Sequence, residues 1–297
     1  MKTRSGSGHA LDKGDVLLEA RGLSKGFPGV WEHLILDKLD FDVRSGEVHT
    51  LLGENGAGKT VIANILSGYY EKTEGEIRVK GKLVHLRSPR EGLAHGIAMV
   101  HQELMLVPAF TVAENIMMGL DVPLFSYEIT GVEKRIEILV ERYGLQVDPK
   151  ARVENLSAGQ QQRVEILKVL FHEPEVLLLD EPTSLLTPSE ADQLFVVLRA
   201  MADDGKGIVF ISHKMREVFA VSDRVTVLKL GKTQGTCQIT ETNEDELTRR
   251  TFGETVPDYM ERPEVAHEEL ALNTIEMVPS GLEKKPNPQG ISLKIRC

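Results

Sequence analysis

The run Gly53-Glu54-Asn55-Gly56-Ala57-Gly58-Lys59-Thr60 has the spacing G-x-x-x-x-G-K-[ST]. Glycines allow consecutive backbone N–H groups to converge on phosphate oxygens without side-chain obstruction. A helix beginning at about Lys59 turns its positive end toward the same oxygens. Lys59 is placed to reach β- and γ-phosphates, and Thr60 to ligate Mg²⁺. All eight residues from Gly53 to Thr60 are therefore phosphate-binding candidates. Such a match arises by chance on the order of once in a hundred chains of this length. The apolar strand Val48–Leu52 before it and the helix after it lower that figure further.

A second constellation is the apolar run Val176-Leu177-Leu178-Leu179 ending in Asp180-Glu181. An acid at the end of a buried strand lies at the sheet's C-terminal edge, where Asp180 can hold Mg²⁺ beside the phosphates. Glu181 follows directly and can polarise an attacking water, an aid worth roughly 10²–10⁴ in rate. Alone, a strand ending in two acids is weak evidence, because acids commonly open turns. Leu156-Ser157-Ala158-Gly159-Gln160 precedes a helical stretch to Leu170, with Ser157 a natural N-cap. That can be a purely structural cap, yet a capped helix start is also an anion site. His213 follows the apolar run Ile208–Ser212; a lone histidine there is more often structural than functional.

The elements that must hold these groups alternate. Residues 16–23 and 39–43 read as strands, and Glu76–Val79 and Leu83–Leu86 as a hairpin around Lys80-Gly81-Lys82. Strands at 97–100, 176–179, 208–211 and 225–228, with a helix at about 189–202, predict a parallel-rich α/β core. Helical patterning sets in at about Val112, and the block 103–170 reads as a helical insertion. Residues 1–15 are expected to be a flexible polar tail, and 16–260 one domain. Residues 243–250 form a further expected helix, and 262–290 a linker. Ile291-Ser292-Leu293-Lys294-Ile295-Arg296 alternates as Leu39-Asp40-Phe41-Asp42-Val43-Arg44 does. It reads either as the opening strand of a second copy of the domain, with 261–297 its linker and truncated start, or as a stray amphipathic strand.

Composition narrows the function. The chain has 297 residues, 41% hydrophobic and 27% charged, with a net charge of −10. That balance argues against a nucleic-acid partner, which would want a basic face. Two cysteines, Cys237 and Cys297, far apart in the chain, argue against a disulfide framework. No apolar run approaches the ~18–20 residues that span a bilayer.

Together the motifs resemble the nucleotide-binding subunit of an ABC transporter, over about residues 16–255. The resemblance implies a P-loop NTPase core with a parallel-rich sheet, an antiparallel N-terminal β subdomain and an inserted helical subdomain. It implies ATP and Mg²⁺ as cofactors. In such subunits the serine loop addresses a γ-phosphate held by a partner domain, which assigns Ser157, Gly159 and Gln160 to nucleotide binding. The family's loop reads Leu-Ser-Gly-Gly-Gln; here Ala158 replaces the first glycine. Gln102 matches the glutamine linking Mg²⁺ and nucleophilic water to the membrane subunit, and His213 the histidine on the γ-phosphate. Glu181, His213, Lys59 and Gln102 are thus the catalytic candidates, and Thr60, Gln102 and Asp180 the metal candidates. Phe27, about 26 residues ahead of Gly53, matches the aromatic that stacks on adenine. Trp31 competes for that role, and either ring can instead pack on the core. One departure stands out: Ser184-Leu185-Leu186-Thr187 replaces the common Ser-Ala-Leu-Asp, and Thr187 is no carboxylate.

A narrower resemblance rests on Phe27-Pro28-Gly29-Val30, Val100-His101-Gln102-Glu103-Leu104, Phe110-Thr111-Val112-Ala113-Glu114-Asn115-Ile116 and Glu181–Thr187. These are similar to the ATPases of simple-sugar and nucleoside importers, typically two such domains in tandem. The implied partners are a second ABC ATPase domain (a C-terminal copy or a homodimer mate), transmembrane permease subunits and, indirectly, a solute-binding protein. The implied place is peripheral, on the cytoplasmic face of the cell membrane. Leu104, Met105, Leu106, Val107 and Phe110, just beyond Gln102, form either a groove for a membrane subunit's helix or buried core. The alternative is a non-transport ABC ATPase acting on ribosomes or chromosomes. Chromosomal types need long coiled coils, for which there is no room; ribosomal types join two copies through a charged linker.

Overall fold

The computed structural model describes residues 13–27, 34–119 and 129–253, together with the backbone of strands 270–277 and 291–296. Backbone packing divides the chain into two units, residues 1–253 and 254–297. The expected tail up to residue 12, the linker apart from its strand, and Trp31 lie outside the described residues.

The first unit carries two sheets. An antiparallel one has the order β2-β1-β4-β5, built from β1 (Val16–Lys25), β2 (Leu36–Arg44), β4 (Glu74–Val79) and β5 (Lys82–Val84). Its β4–β5 turn is Lys80-Gly81, both residues at positive φ (50° and 75°), the backbone a tight two-residue hairpin needs. The hairpin strand ends at Val84, short of the expected Leu86.

The other sheet has the order β10-β9-β3-β8-β7-β6. Its parallel members are β3 (Val48–Leu52), β6 (Ile97–Val100), β7 (Val176–Asp180), β8 (Gly207–Ser212) and β9 (Arg224–Lys229). Antiparallel β10 (Lys232–Gln238) closes one edge. Every residue of β3, β6, β7 and β8 is buried, as expected of strands covered on both faces. β2, by contrast, alternates in burial because only one of its faces meets the core.

Parallel register is what assembles the site. Leu52 pairs with Ser212, Asp180 with Ile211, and Val100 with Leu179. Four strands therefore end on one edge of the sheet. The residues that follow them, at 53, 101–102, 181 and 213, emerge side by side.

Helix α1 (Lys59–Leu66) follows the phosphate loop, and α2 (Pro89–Ala94) precedes β6. The inserted segment carries α3 (Val112–Met118), α4 (Ile129–Tyr143) and α5 (Ala158–Leu170). α6 (Pro188–Asp203), α7 (Met215–Val221) and α8 (Glu244–Phe252) complete the unit. α3, α5 and α6 each open on a closed capping box, Thr111/Glu114, Ser157/Gln160 and Thr187/Glu190. One apolar cluster joins the insertion to the sheet: Val112, Ile116, Ile136, Val164 and Leu167 pack with Val100, Leu177 and Phe210.

The second unit contains β11 (Leu270–Met277) paired antiparallel with β12 (Ile291–Arg296). Its register runs Leu270↔Arg296, Leu272↔Ile295, Asn273↔Lys294, Thr274↔Leu293. β1 and β2 pair as Val16↔Arg44, Leu18↔Val43, Glu19↔Asp42, Ala20↔Phe41. The spacing is the same, including the irregularity after the first pair.

Candidate active site

The phosphate loop leaves β3 at Gly53, where no other residue fits: a Cβ there would lie 2.4 Å from the Leu228 carbonyl oxygen. Gly58, at φ +105°, begins α1, and a Cβ on it would strike Leu36 at 2.7 Å. The Ala57 N–H closes the turn onto the Glu54 carbonyl at 3.1 Å. Lys59 folds back over the loop, its Nζ donating to the carbonyl oxygens of Gly53 (2.8 Å) and Glu54 (2.9 Å). Burial lowers the Lys59 pKa, while the charges of Glu181 and Asp180 oppose that shift.

Asp180 is the buried last residue of β7. Burial raises its pKa, a Thr60 hydrogen bond lowers it, and the neighbouring Glu181 carboxylate raises it again. Among the described residues, Asp180 Oδ1 has no hydrogen-bond partner. A buried carboxylate oxygen left open beside a threonine hydroxyl suits a hard cation with oxygen ligands. Gln102, exposed two residues past β6, opens onto the same cavity as Thr60.

Glu181 has a left-handed backbone, φ +43°, uncommon outside glycine and asparagine. Its N–H is held by the Ile211 carbonyl at 3.1 Å. That turn swings the carboxylate over the loop, where Oε1 lies 4.0 Å from Lys59 Nζ and 3.0 Å from His213 Nδ1. Asn55, Gly58, Lys59, Thr60, Gln102 and Glu181 surround a cavity of about 430 Å³. Gly56 also borders it. A glutamate carboxylate beside a lysine and a histidine, with an open aspartate oxygen close by and a glycine-rich loop beneath them, makes an arrangement for phosphoryl chemistry.

Two groups of candidates stand elsewhere. Phe27 packs edge-on against Tyr70, centroids 5.4 Å apart, with Lys25 Nζ 4.7 Å above its ring. The cavity is bordered instead by Ile35, which the sequence pattern did not single out. Ser157, Gly159 and Gln160 also lie outside the residues that line it. Ser157 caps α5: its Oγ accepts the Gln160 N–H at 3.2 Å, and Gln160 Oε1 accepts the Ser157 N–H at 3.0 Å. Beyond Gln102, Met105 and Phe110 are exposed while Leu106 packs against the core, so the segment is divided between surface and core.

Residues 36–184, about half of the chain, match the family model described as ABC transporter. The chain belongs to the ABC transporter family. Among curated relatives, this ABC chain is 41% identical to the "Nucleoside import ATP-binding protein NupA" of Lactococcus lactis, over 88% of its own length and 52% of that protein's. It is 41% identical to the "Ribose import ATP-binding protein RbsA 1" of Rubrobacter xylanophilus, over 95% of itself and 55% of the relative. It thus spans about half the length of the curated relatives it matches. Among solved structures, it resembles cbiO1 from Clostridium perfringens, part of the ABC transporter complex cbiONQ, with a TM-score of 0.67 at 27% identity. That match covers 76% of this chain and 90% of the other. An ATP-binding cassette of an ABC transporter in its ADP conformation gives a TM-score of 0.68 at 25% identity, covering 79% and 94%.

Proposed function

We propose that this chain is the ATP-hydrolysing subunit of an ABC importer, coupling ATP binding and hydrolysis to uptake of a small polar solute, a simple sugar or a nucleoside. The observation that carries the reading is the meeting of Glu181 with both Lys59 and His213 over the phosphate loop. The names of the relatives, import proteins for nucleoside and for ribose, support the transport class and the kind of solute.

The phosphates sit in the N–H cradle of residues 53–60. Lys59 exchanges the Gly53 and Glu54 carbonyls for phosphate oxygens. Glu181 orients the attacking water and draws off its proton; His213 fixes the carboxylate and faces the charge spreading on the γ-phosphate. Thr60, Asp180 and Gln102 would hold Mg²⁺, which supplies Lewis-acid neutralisation of the phosphate charge. Ser157, Gly159 and Gln160 serve the nucleotide of a partner domain, in keeping with their place away from the chain's own cavity.

No helix among the described residues is long and apolar enough to cross a membrane. In this reading the subunit docks peripherally, on the cytoplasmic face, onto permease subunits that a solute-binding protein supplies. The exposed Met105 and Phe110 beside Gln102 offer the contact. The matching registers of β1–β2 and β11–β12 support a second cassette beginning near residue 270, which would provide the partner domain.

The test is Mg²⁺-dependent phosphate release from ATP by the chain, with co-purification scored on membranes and on ribosomes. Release together with membrane association is expected. ATPase activity that follows ribosomes would favour the non-transport class instead.

A further inference from the structure

The serine loop is already in contact with an anion. Besides accepting the Gln160 N–H, Ser157 Oγ donates its hydrogen to Glu190 Oε1 at 3.4 Å. Glu190 is held there by its own helix. Its Oε2 accepts the Thr187 N–H at 3.0 Å and the Thr187 hydroxyl at 2.9 Å, and its N–H returns to Thr187 Oγ1 at 3.3 Å. The carboxylate also crowds Gly159, where a Cβ would lie 2.5 Å from Glu190 Oε1. Hydrogen bonds from Thr187, Ser157 and the Gly159 backbone keep its pKa below the usual glutamate value, so the group is ionised at neutral pH.

A hydroxyl has a single hydrogen to give. In Ser157 the oxygen is committed to capping α5 and the hydrogen to Glu190. A γ-phosphate oxygen needs that same hydrogen and brings charge of the same sign. Both anions cannot be served at once, and the long 3.4 Å bond to Glu190 is the easier one to give up. We propose that Glu190 is an internal anionic occupant of the serine loop, displaced when the γ-phosphate of a partner domain's ATP engages Ser157. The inference rests on the ATPase reading above and adds what the triphosphate must dislodge.

It also gives the Thr187 departure a physical content. The carboxylate absent at 187 is supplied three residues later, by the capping box that Thr187 closes. A short turn, Ser184 N–H to Glu181 carbonyl (3.1 Å) and Leu186 N–H to Thr183 carbonyl (3.2 Å), joins that box to Glu181.

Glu190→Gln tests the proposal, because glutamine preserves a capping box while removing the charge. ATP hydrolysis by the full chain is titrated in parent, Glu190→Gln, Ser157→Ala and the double variant. The expected result is a half-saturating ATP concentration lowered about two- to fivefold in Glu190→Gln, the size of an exposed charge effect. The gap should narrow as salt rises and vanish in the Ser157→Ala background. An unchanged or raised half-saturation, or an equal shift without the Ser157 hydroxyl, overturns the proposal; a merely structural role for Glu190 would raise it. Binding of a fluorescent ATP analogue to each single chain is measured alongside. Loss of that binding in the parent would defeat the ATPase reading itself, whereas intact binding without the Glu190→Gln shift defeats only this inference.

Discussion

His213 Nδ1 lies 3.0 Å from Glu181 Oε1, although 32 positions separate the two residues. Neither reaches the other by chain proximity. Asp180 and Ile211 are register partners on β7 and β8, so each strand's next residues leave the sheet together. The positive φ of Glu181 then turns its carboxylate toward the histidine. The contact is thus a product of sheet register and one strained residue, a strain of the kind stored at functional sites.

Glu181→Gln follows directly. Glutamine keeps the size of the side chain and an oxygen for His213, but it takes no proton from water. Turnover should fall by about 10²–10⁴, the worth of a general base, while equilibrium ATP binding stays near the parent value. Single-turnover phosphate release beside nucleotide titration checks both halves. A variant hydrolysing at close to the parent rate would remove Glu181 from its assigned role.

Gly53→Ala probes the loop itself. The added methyl would meet the Leu228 carbonyl, which belongs to β9 and cannot yield without moving the strand. Gly56 has open space around a Cβ, at φ +81°. Gly56→Ala should therefore cost about 1–2 kcal/mol, the price of a left-handed alanine, and Gly53→Ala more than that. Urea unfolding of the two variants compares them; equal losses would mean that the loop relaxes around the methyl.

How much of this was legible beforehand depends on the range of the interaction. The phosphate loop, the Asp180-Glu181 strand end and the Ser157 cap are local patterns, and the structure builds the loop, strand end and cap where the spacing put them. Antiparallel β10 was missed because Lys232–Gln238 is half exposed, without the apolar run that marked its neighbours. Ile35 beside the cavity, and Glu190 against Ser157, arise from tertiary approach. Only the Thr187-x-x-Glu190 box was written locally, and it marks a helix start without saying what the carboxylate touches. Phe27 shows the converse: a position matching the adenine-stacking aromatic, with its ring packed on Tyr70.

Glu165 makes a third prediction. It is a buried carboxylate on α5 that accepts the Met105 N–H at 2.6 Å and pairs with Lys168 at 2.8 Å. Lys168 in turn donates to the Met105 carbonyl at 2.9 Å. One residue of the segment after Gln102, Met105, is gripped through both its N–H and its carbonyl by the helix that Ser157 caps. Glu165→Ala strands that N–H and should lower stability by about 1–3 kcal/mol; Glu165→Gln, which retains an acceptor, should lose less. Urea midpoints rank them, and an alanine variant as stable as the parent would mean that the segment is held by other contacts.

Acid should unfold this protein through His49. The ring is fully buried on β3, with Nδ1 2.8 Å from the Asp42 carbonyl oxygen and Nε2 2.8 Å from Thr226 Oγ1. Burial, reinforced by the nearby Arg224 charge, lowers its pKa to about 3. Asp42 is partly buried, which pushes its pKa up, but hydrogen bonds from Arg224 and Arg44 bring it down to about 2. An unfolded histidine takes its proton near pH 6.5, so between there and about 3 the unfolded chain binds more protons than the folded one. Stability from His49 is therefore full above about pH 6.5 and lost progressively as pH falls, on the order of a few kcal/mol in all. Glu47 and Asp180, raised by burial, have the opposite sign and offset part of the loss just above the ordinary carboxylate range. Replacing the ring with an amide, His49→Gln, removes the titrating group, so stability measured by urea at successive pH values should fall less steeply between pH 6.5 and 4 than in the parent, even from a lower starting point. Parallel slopes in the two proteins would mean that the acid sensitivity arises elsewhere.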